Sequence, residues 1–264
     1  MRIFESMEFI NYQLEDSIAW ITLNRPQVFN SFHRGMAMEL IQLLDAIQAD
    51  DSVRCVVITG TGKAFCAGQD LQEAMDPNGP GLEKILKEHY NPIILKIRNL
   101  DKPVLAAVNG VAAGAGANIA LACDVVVASE SASFIQAFSK IGLVPDSGGS
   151  YFLPRLIGWN KASALIMTGD KCTASEAFQS GMIYKMFKDD EFKEEFHKLA
   201  FKIAQMPTKA LALTKKLLNQ SFSNNLEEQL QAELKYQKEA GETADYIEGT
   251  QAFLEKRLPV FKGK

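Results

Sequence analysis

The sequence predicts an α/β domain followed by a helical C-terminal region, and two patterns predict it. Through the first two-thirds, short β-rich runs alternate with amphipathic helical stretches; beyond about residue 161 only helical patterns remain. At 264 residues, 47% hydrophobic and 23% charged, the chain can bury a sizeable core. We divide it into a core, residues 1–200, and a helical region, 201–264, whose apolar faces cannot be buried within itself.

Residues 9–14 and 18–23 are β-rich runs separated by Glu15-Asp16-Ser17, a hairpin signal. Met38, Leu40, Ile41, Leu44 and Ile47 form an apolar stripe along a helix at 34–48. The β-branched run 55–59, closed by Gly60, reads as a buried strand. A polar, glycine-containing stretch near 75–81 leads to a helix over 82–100, which Lys102-Pro103 stops. A strand at 104–108, a glycine turn, a buried helix at 117–123 and a buried strand at 124–128 follow. In the helical part, Thr173-Ala174-Ser175-Glu176 is a capping box and Pro207 marks a first turn. Amphipathic stretches at 225–240 and 243–257 complete the chain, which has no fixed-period repeat and no low-complexity segment.

The formal net charge is −4 and no basic run occurs, so the electrostatic footprint of a nucleic-acid binder is lacking. A local patch can still bind an anionic ligand. Cys55, Cys66, Cys123 and Cys172 are far apart, and none sits beside His33, His89 or His197 at ligand spacing. Neither a disulfide framework nor a metal site is expected. The three histidines read as surface or helix residues without a role. Residues 1–8 contain no apolar run of the secretory type, which makes the cytoplasm the expected location. The uncharged segment 103–123 has about the length of a membrane span. Pro103, Asn109, Asn118 and three glycines interrupt it, so it reads better as strand, turn and helix.

Two glycine turns carry potential chemistry. Phe65-Cys66-Ala67-Gly68-Gln69-Asp70-Leu71 follows a strand, and Gly110-Val111-Ala112-Ala113-Gly114-Ala115-Gly116-Ala117 links a strand to a helix. Small residues let backbone approach a ligand, and a helix N-terminus presents unpaired N–H groups. Facing each other, two such turns would aim two donors at one oxygen. For either turn alone, close packing of a helix on a sheet is the better reading. The glycine spacing fits neither a dinucleotide fingerprint nor a P-loop.

Leu23-Asn24-Arg25-Pro26 with Asn30, Ala67-Gly68-x-Asp70-Leu71, 102–117, Cys123-Asp124, Gly142-Leu143-x-Pro145 and Arg155 together resemble the crotonase (enoyl-CoA hydratase/isomerase) superfamily. The resemblance runs from about residue 9 to the C-terminus. Within the superfamily, 138–149 and Ala244-Asp245-Tyr246-x-Glu248-Gly249 are most similar to the phenylacetate-pathway isomerases of 1,2-epoxyphenylacetyl-CoA. The resemblance implies a crotonase (ClpP/crotonase-like) superhelix of ββα turns and a helical C-terminal region that builds a homotrimer, or a hexamer of two trimers. It implies an acyl-CoA substrate, with coenzyme A as part of that substrate and no separate cofactor. It places an oxyanion hole at the backbone N–H groups of Gln69 and Ala115, the latter standing where glycine is more usual. Ala67, Asp70 and Leu71 belong to the same binding turn. The adenine and phosphate end of CoA is expected against Val28 and Phe29, with Phe253 and Lys256 reaching in from the C-terminal region of this or a neighbouring subunit. Lys256 and Arg257 read alternatively as a solvated charged face, which is the better reading for Arg257.

Where typical hydratases carry two glutamates, this sequence has Asn118 and Phe138, neither of which transfers a proton. Asp146 enters at a position that the epoxide isomerases use. One carboxylate suffices to take a proton from one carbon and return it to another. Phe134, Phe138, Leu143 and Val144 are expected to wall it in and raise its pKa. By itself, Pro145-Asp146-Ser147-Gly148-Gly149 reads as a turn or a helix N-cap; with the resemblance, Asp146 is the expected acid/base. The expected activity is therefore isomerisation of an acyl-CoA thioester. Enoyl-CoA hydration with Asp146 alone handling water is the alternative, and a non-catalytic acyl-CoA-binding or RNA-binding relative is a further one. Dehalogenation, which uses a tryptophan at the position of Phe138 in related aryl-CoA enzymes, ranks low.

Overall fold

The computed structural model describes residues 7–264. Residues 1–6, most of the stretch read above for a secretory signal, lie outside the described residues. β1 (Ile10–Glu15) folds back antiparallel onto β2 (Ile18–Leu23). Asp16 and Ser17 between them both have positive φ, as a two-residue type I′ hairpin requires. β3 (Cys55–Gly60), β5 (Val104–Val108), β7 (Val125–Ser129) and β10 (Lys185–Phe187) continue this sheet in parallel, in the order β1-β2-β3-β5-β7-β10. A second sheet contains β4 (Ala64–Cys66), β6 (Val111–Ala113), β8 (Ser133–Ile135) and β9 (Lys171–Thr173), with only β9 antiparallel. The pairs β3/β4, β5/β6 and β7/β8 each put one strand in each sheet before the chain enters a helix. That is the ββα repeat that the family resemblance implies.

The central strands β3, β5 and β7 are buried on both faces. In β3, Val56 and Ile58 join the main core, whereas Cys55 and Val57 pack beneath Phe192, Phe196, Ala200 and Ala204 of α9 (Phe192–Ala204). Residue 200, the boundary between core and tail read from the sequence, lies inside this helix. α1 (Arg34–Ala49) sends Met36, Leu40, Leu44 and Ile47 into the main core. It is capped by the His33 ring, whose Nδ1 accepts the Met36 N–H at 3.2 Å. The polar stretch near 75–81 is shorter than expected, because Asp70 caps an additional helix, α2 (Leu71–Met75). The helix expected over 82–100 is α3 (Gly81–Ile85), a π turn (Leu86–Tyr90) and α4 (Asn91–Asn99) in succession. α5 (Ala115–Leu121) begins two residues before the expected start. The remaining helices are α6 (Gly149–Ile157), α7 (Trp159–Thr168), α8 (Ala174–Gln179), α10 (Thr208–Gln220), α11 (Leu226–Gly241) and α12 (Ala244–Glu255).

One further expectation is corrected. The region after residue 161 is not wholly helical, since β9 and β10 close the sheets there; strands of three residues are too short to show a period of two. His89, read as a surface or helix residue, lies in the π turn and is 1% exposed, its Nε2 3.3 Å from Arg34 Nη1. The uncharged segment 103–123 resolves into β5, β6 and α5. Among the described residues no helix is long and apolar enough to cross a membrane.

Asp124, just after α5, ties the helices to the sheet. Its carboxylate accepts from the Val104 N–H at 2.8 Å and pairs with Arg98 of α4 at 3.1 Å and Lys215 of α10 at 2.8 Å.

Candidate active site

The first glycine turn is held in shape by the Leu23-Asn24-Arg25-Pro26 segment. Arg25 donates to Ser31 O at 2.6 Å and to Asp70 Oδ2 at 2.9 Å, and its N–H donates to Asn30 Oδ1 at 2.9 Å. Asn30 in turn donates to Ala64 O at 2.8 Å, anchoring the loop to β4. The strip around Gln69 is bound along one edge only: Phe32 N–H donates to Gly68 O at 2.7 Å, and Asp70 N–H to Phe32 O at 2.8 Å. Peptide groups alternate in extended chain, so the Gln69 N–H faces the other way.

The first turn lies against the second. A Cβ placed on Gly68 would come 2.9 Å from Ala113 O and 3.5 Å from Ala115 N, so only glycine allows the two loops to touch. Gly116 permits the same closeness one step on, where a Cβ would strike Cys66 O at 2.3 Å. Ala115 opens α5, where the first N–H groups have no partner inside the helix. Among the described residues, neither the Gln69 nor the Ala115 N–H donates to a protein acceptor. Both border a cleft of about 390 Å³, together with Ala67, Leu71, Tyr90, Phe138, Leu143 and Asp146.

Asp146 is the one carboxylate among the described residues lining this cleft. Its turn is closed by the Gly149 N–H donating to Asp146 O at 2.8 Å, with Ser147 and Gly148 both at positive φ. The helix-cap alternative does not hold, because Gly148 precedes α6 and the carboxylate caps nothing. Burial pushes the Asp146 carboxyl above the ordinary carboxylate range, opposed by the Ser147 hydroxyl, which donates to Oδ1 at 2.8 Å. The expected wall is partly different. Phe138 and Leu143 line the cleft and Ile141 joins them. Phe134 is instead buried in the core, and Val144, next to the inward-facing Leu143, points outward at 80% exposure.

A family model described as enoyl-CoA hydratase/isomerase matches residues 13–264. The chain belongs to the enoyl-CoA hydratase/isomerase family. It is 44% identical over 261 residues to the 1,2-epoxyphenylacetyl-CoA isomerase of Escherichia coli, covering 98% of this chain and 100% of that one. It is also 44% identical over 259 residues to a probable enoyl-CoA hydratase of Rhodobacter capsulatus, again covering 98% and 100%. A crystal structure of an enoyl-CoA hydratase from Bacillus anthracis superimposes with a TM-score of 0.91 at 34% identity, covering 97% of this chain and 100% of that one.

Among the residues that resemblance to this family pointed out, Ala67, Gln69, Leu71, Ala115, Phe138 and Asp146 meet at the cleft. The others lie outside its lining. Asp70 is paired with Arg25 and caps α2, its Oδ1 accepting the Gln72 N–H at 3.0 Å. Asn118 is wholly buried behind the Asp146 turn. Its amide donates to Asp146 O at 2.9 Å and accepts from Gln136 at 2.8 Å, so it holds the loop rather than facing the cleft. Val28 and Phe29 are not part of the lining, though Phe29 O accepts the Ala67 N–H at 3.0 Å. Phe253 is 83% exposed on α12 and borders a separate apolar groove; Lys256 ends that helix in the left-handed region. Arg257 is paired with Glu248 and Glu255. Sequence reasoning missed Tyr90, which lines the cleft; Pro92, a break two residues into the next helical turn, was the available signal for an irregularity there.

Proposed function

We propose that this family member is an acyl-CoA thioester isomerase, shifting a double bond or isomerising the ring of 1,2-epoxyphenylacetyl-CoA. The supporting observation is a single carboxylate, raised in pKa by burial, in an otherwise apolar cleft bordered by two unpaired N–H donors. In this reading the Gln69 and Ala115 N–H groups receive the thioester oxygen as it becomes negative; one such donor is typically worth about 3 kcal/mol. Asp146 takes a proton from the carbon next to the thioester, leaving an enolate, and returns it to a different carbon as the double bond moves. A desolvated carboxylate is a stronger base, and the charge it gives up passes to the enolate oxygen, where the two N–H donors receive it. The identity to the Escherichia coli isomerase supports the epoxide thioester as one substrate. Water addition needs both a base and an acid, and Asn118 and Phe138 supply neither.

Assay against a 3-enoyl-CoA, a 2-enoyl-CoA and the epoxide thioester tests this. Double-bond transfer or epoxide consumption faster than water addition is expected. Faster net hydration of the 2-enoyl-CoA would replace the isomerase by the hydratase, the name carried by the Rhodobacter relative.

The assembly in this reading is a trimer or a pair of trimers. Leu226, Leu230, Leu234, Leu254 and Leu258 of the C-terminal region are each at least half exposed, an apolar surface that a second copy would cover. Sedimentation as a monomer at micromolar concentration would contradict it.

A further inference from the structure

The Gln69 side chain is gripped from two sides. Its Nε2 donates to Glu73 Oε2 at 3.0 Å, and its Oε1 accepts from the Tyr90 hydroxyl at 2.9 Å. A carboxylate only accepts, so the amide nitrogen belongs on the Glu73 side and the oxygen on the Tyr90 side. Glu73 is itself fixed, its Oε1 accepting the Arg34 N–H at the start of α1 at 2.8 Å. Tyr90 is 1% exposed yet lines the cleft. Burial pushes its phenol well above the ordinary range, so the hydroxyl keeps its proton and remains a donor. That proton is committed to Gln69.

Tyr90 is the last residue of the π turn, and Pro92 follows in α4 without an N–H to donate. Such turns rotate the next side chains out of α-helical register and recur at functional sites. Here the rotation brings Tyr90 to Gln69. A side chain locked at both ends restricts the backbone torsions of its own residue.

We propose that Tyr90 is a positioning residue for the oxyanion donor: with Glu73, it locks the Gln69 side chain and so aims the Gln69 N–H at the thioester oxygen. This rests on the role given to Gln69 above.

Tyr90→Phe keeps the ring and removes only the hydroxyl. Cinnamoyl-CoA serves as the probe, because donors to its carbonyl shift its absorption band to the red. The wild type is expected to show the shift. In Tyr90→Phe the shift shrinks and kcat falls about tenfold, while KM changes less than about twofold, as for an interaction realised in the transition state. Gln69→Ala keeps the backbone N–H and removes the acceptor, so it reproduces both changes. It also supplies the readout should Tyr90→Phe not fold. The double variant is expected to lose no more than either single one. A full red shift and unchanged kcat in Tyr90→Phe, or additive losses in the double variant, would overturn this inference and leave the oxyanion role standing. Absence of the shift in the wild type would overturn both.

Discussion

Asp124 and Asp146 lie at opposite ends of the segment that carries β7 and β8, and their surroundings differ in kind. Asp124 meets Arg98, Lys215 and a backbone N–H, and the three together bind α4 and α10 to the sheet. Among the described residues, Asp146 meets no cation. One hydroxyl donates to it, and its backbone, not its carboxylate, is what the neighbouring elements hold. A buried charge with its partners is structural, and losing it leaves the partners uncompensated. A desolvated charge without a partner weakens the fold and stays basic. The same side chain thus serves architecture at one position and is available for proton transfer at the other.

Asp146→Asn is expected to have the largest effect. Isomerisation, and solvent-deuterium exchange at the carbon next to the thioester, should fall about 10²–10⁴-fold, as loss of a general base does. Thioester binding, read by calorimetry, should change little because the amide keeps the shape. Equal exchange in wild type and variant would erase the contrast between the two acids.

Asp124→Asn should do the reverse. Lys215 is 5% exposed, and without its counter-charge the fold should lose about 3 kcal/mol in denaturant titration, with kcat per folded molecule unchanged. A drop in kcat without a drop in stability would break the comparison.

Asn118→Ala removes the amide that holds Asp146 O and leaves Gln136 without its acceptor. A loss of about 1–2 kcal/mol is expected, with a smaller fall in kcat than Asp146→Asn causes. A fall as large as that of Asp146→Asn would make Asn118 part of the chemistry.

The smallest effect is a pH dependence of stability. The folded-state pKa of Asp146 is raised, so the folded protein holds that proton more tightly than the unfolded chain does. Its contribution is favourable at low pH and is lost as pH rises from the unfolded value through the folded one. Asp146→Asn should therefore be more stable than wild type above that window, and the gap should close as pH falls into the acid range. Thermal midpoints across this range measure it; a gap that widens toward low pH contradicts the direction of the shift.

Much of this was legible in the residues. The hairpin at Asp16 and Ser17, the buried run of β3 and the cap at Thr173 are local events, each decided by a few neighbouring side chains. β9 and β10 were not legible, since three residues carry no period and their strands form only because a partner is there. The resemblance pointed to Gln69, Ala115 and Asp146 by their place in ordered motifs, but it also gathered Asp70 and Asn118, whose bonds turn out to hold loops in place.

The sequence by itself determined the alternation of strands and helices and the two glycine turns, because each is written in contiguous residues. Only the tertiary structure decided which N–H groups are left unpaired, which acid has cations and which has none, and that Tyr90 reaches Gln69. Those depend on contacts between residues 21 to 91 positions apart, and both burial and pairing are properties of the neighbours brought together by folding rather than of the residue itself.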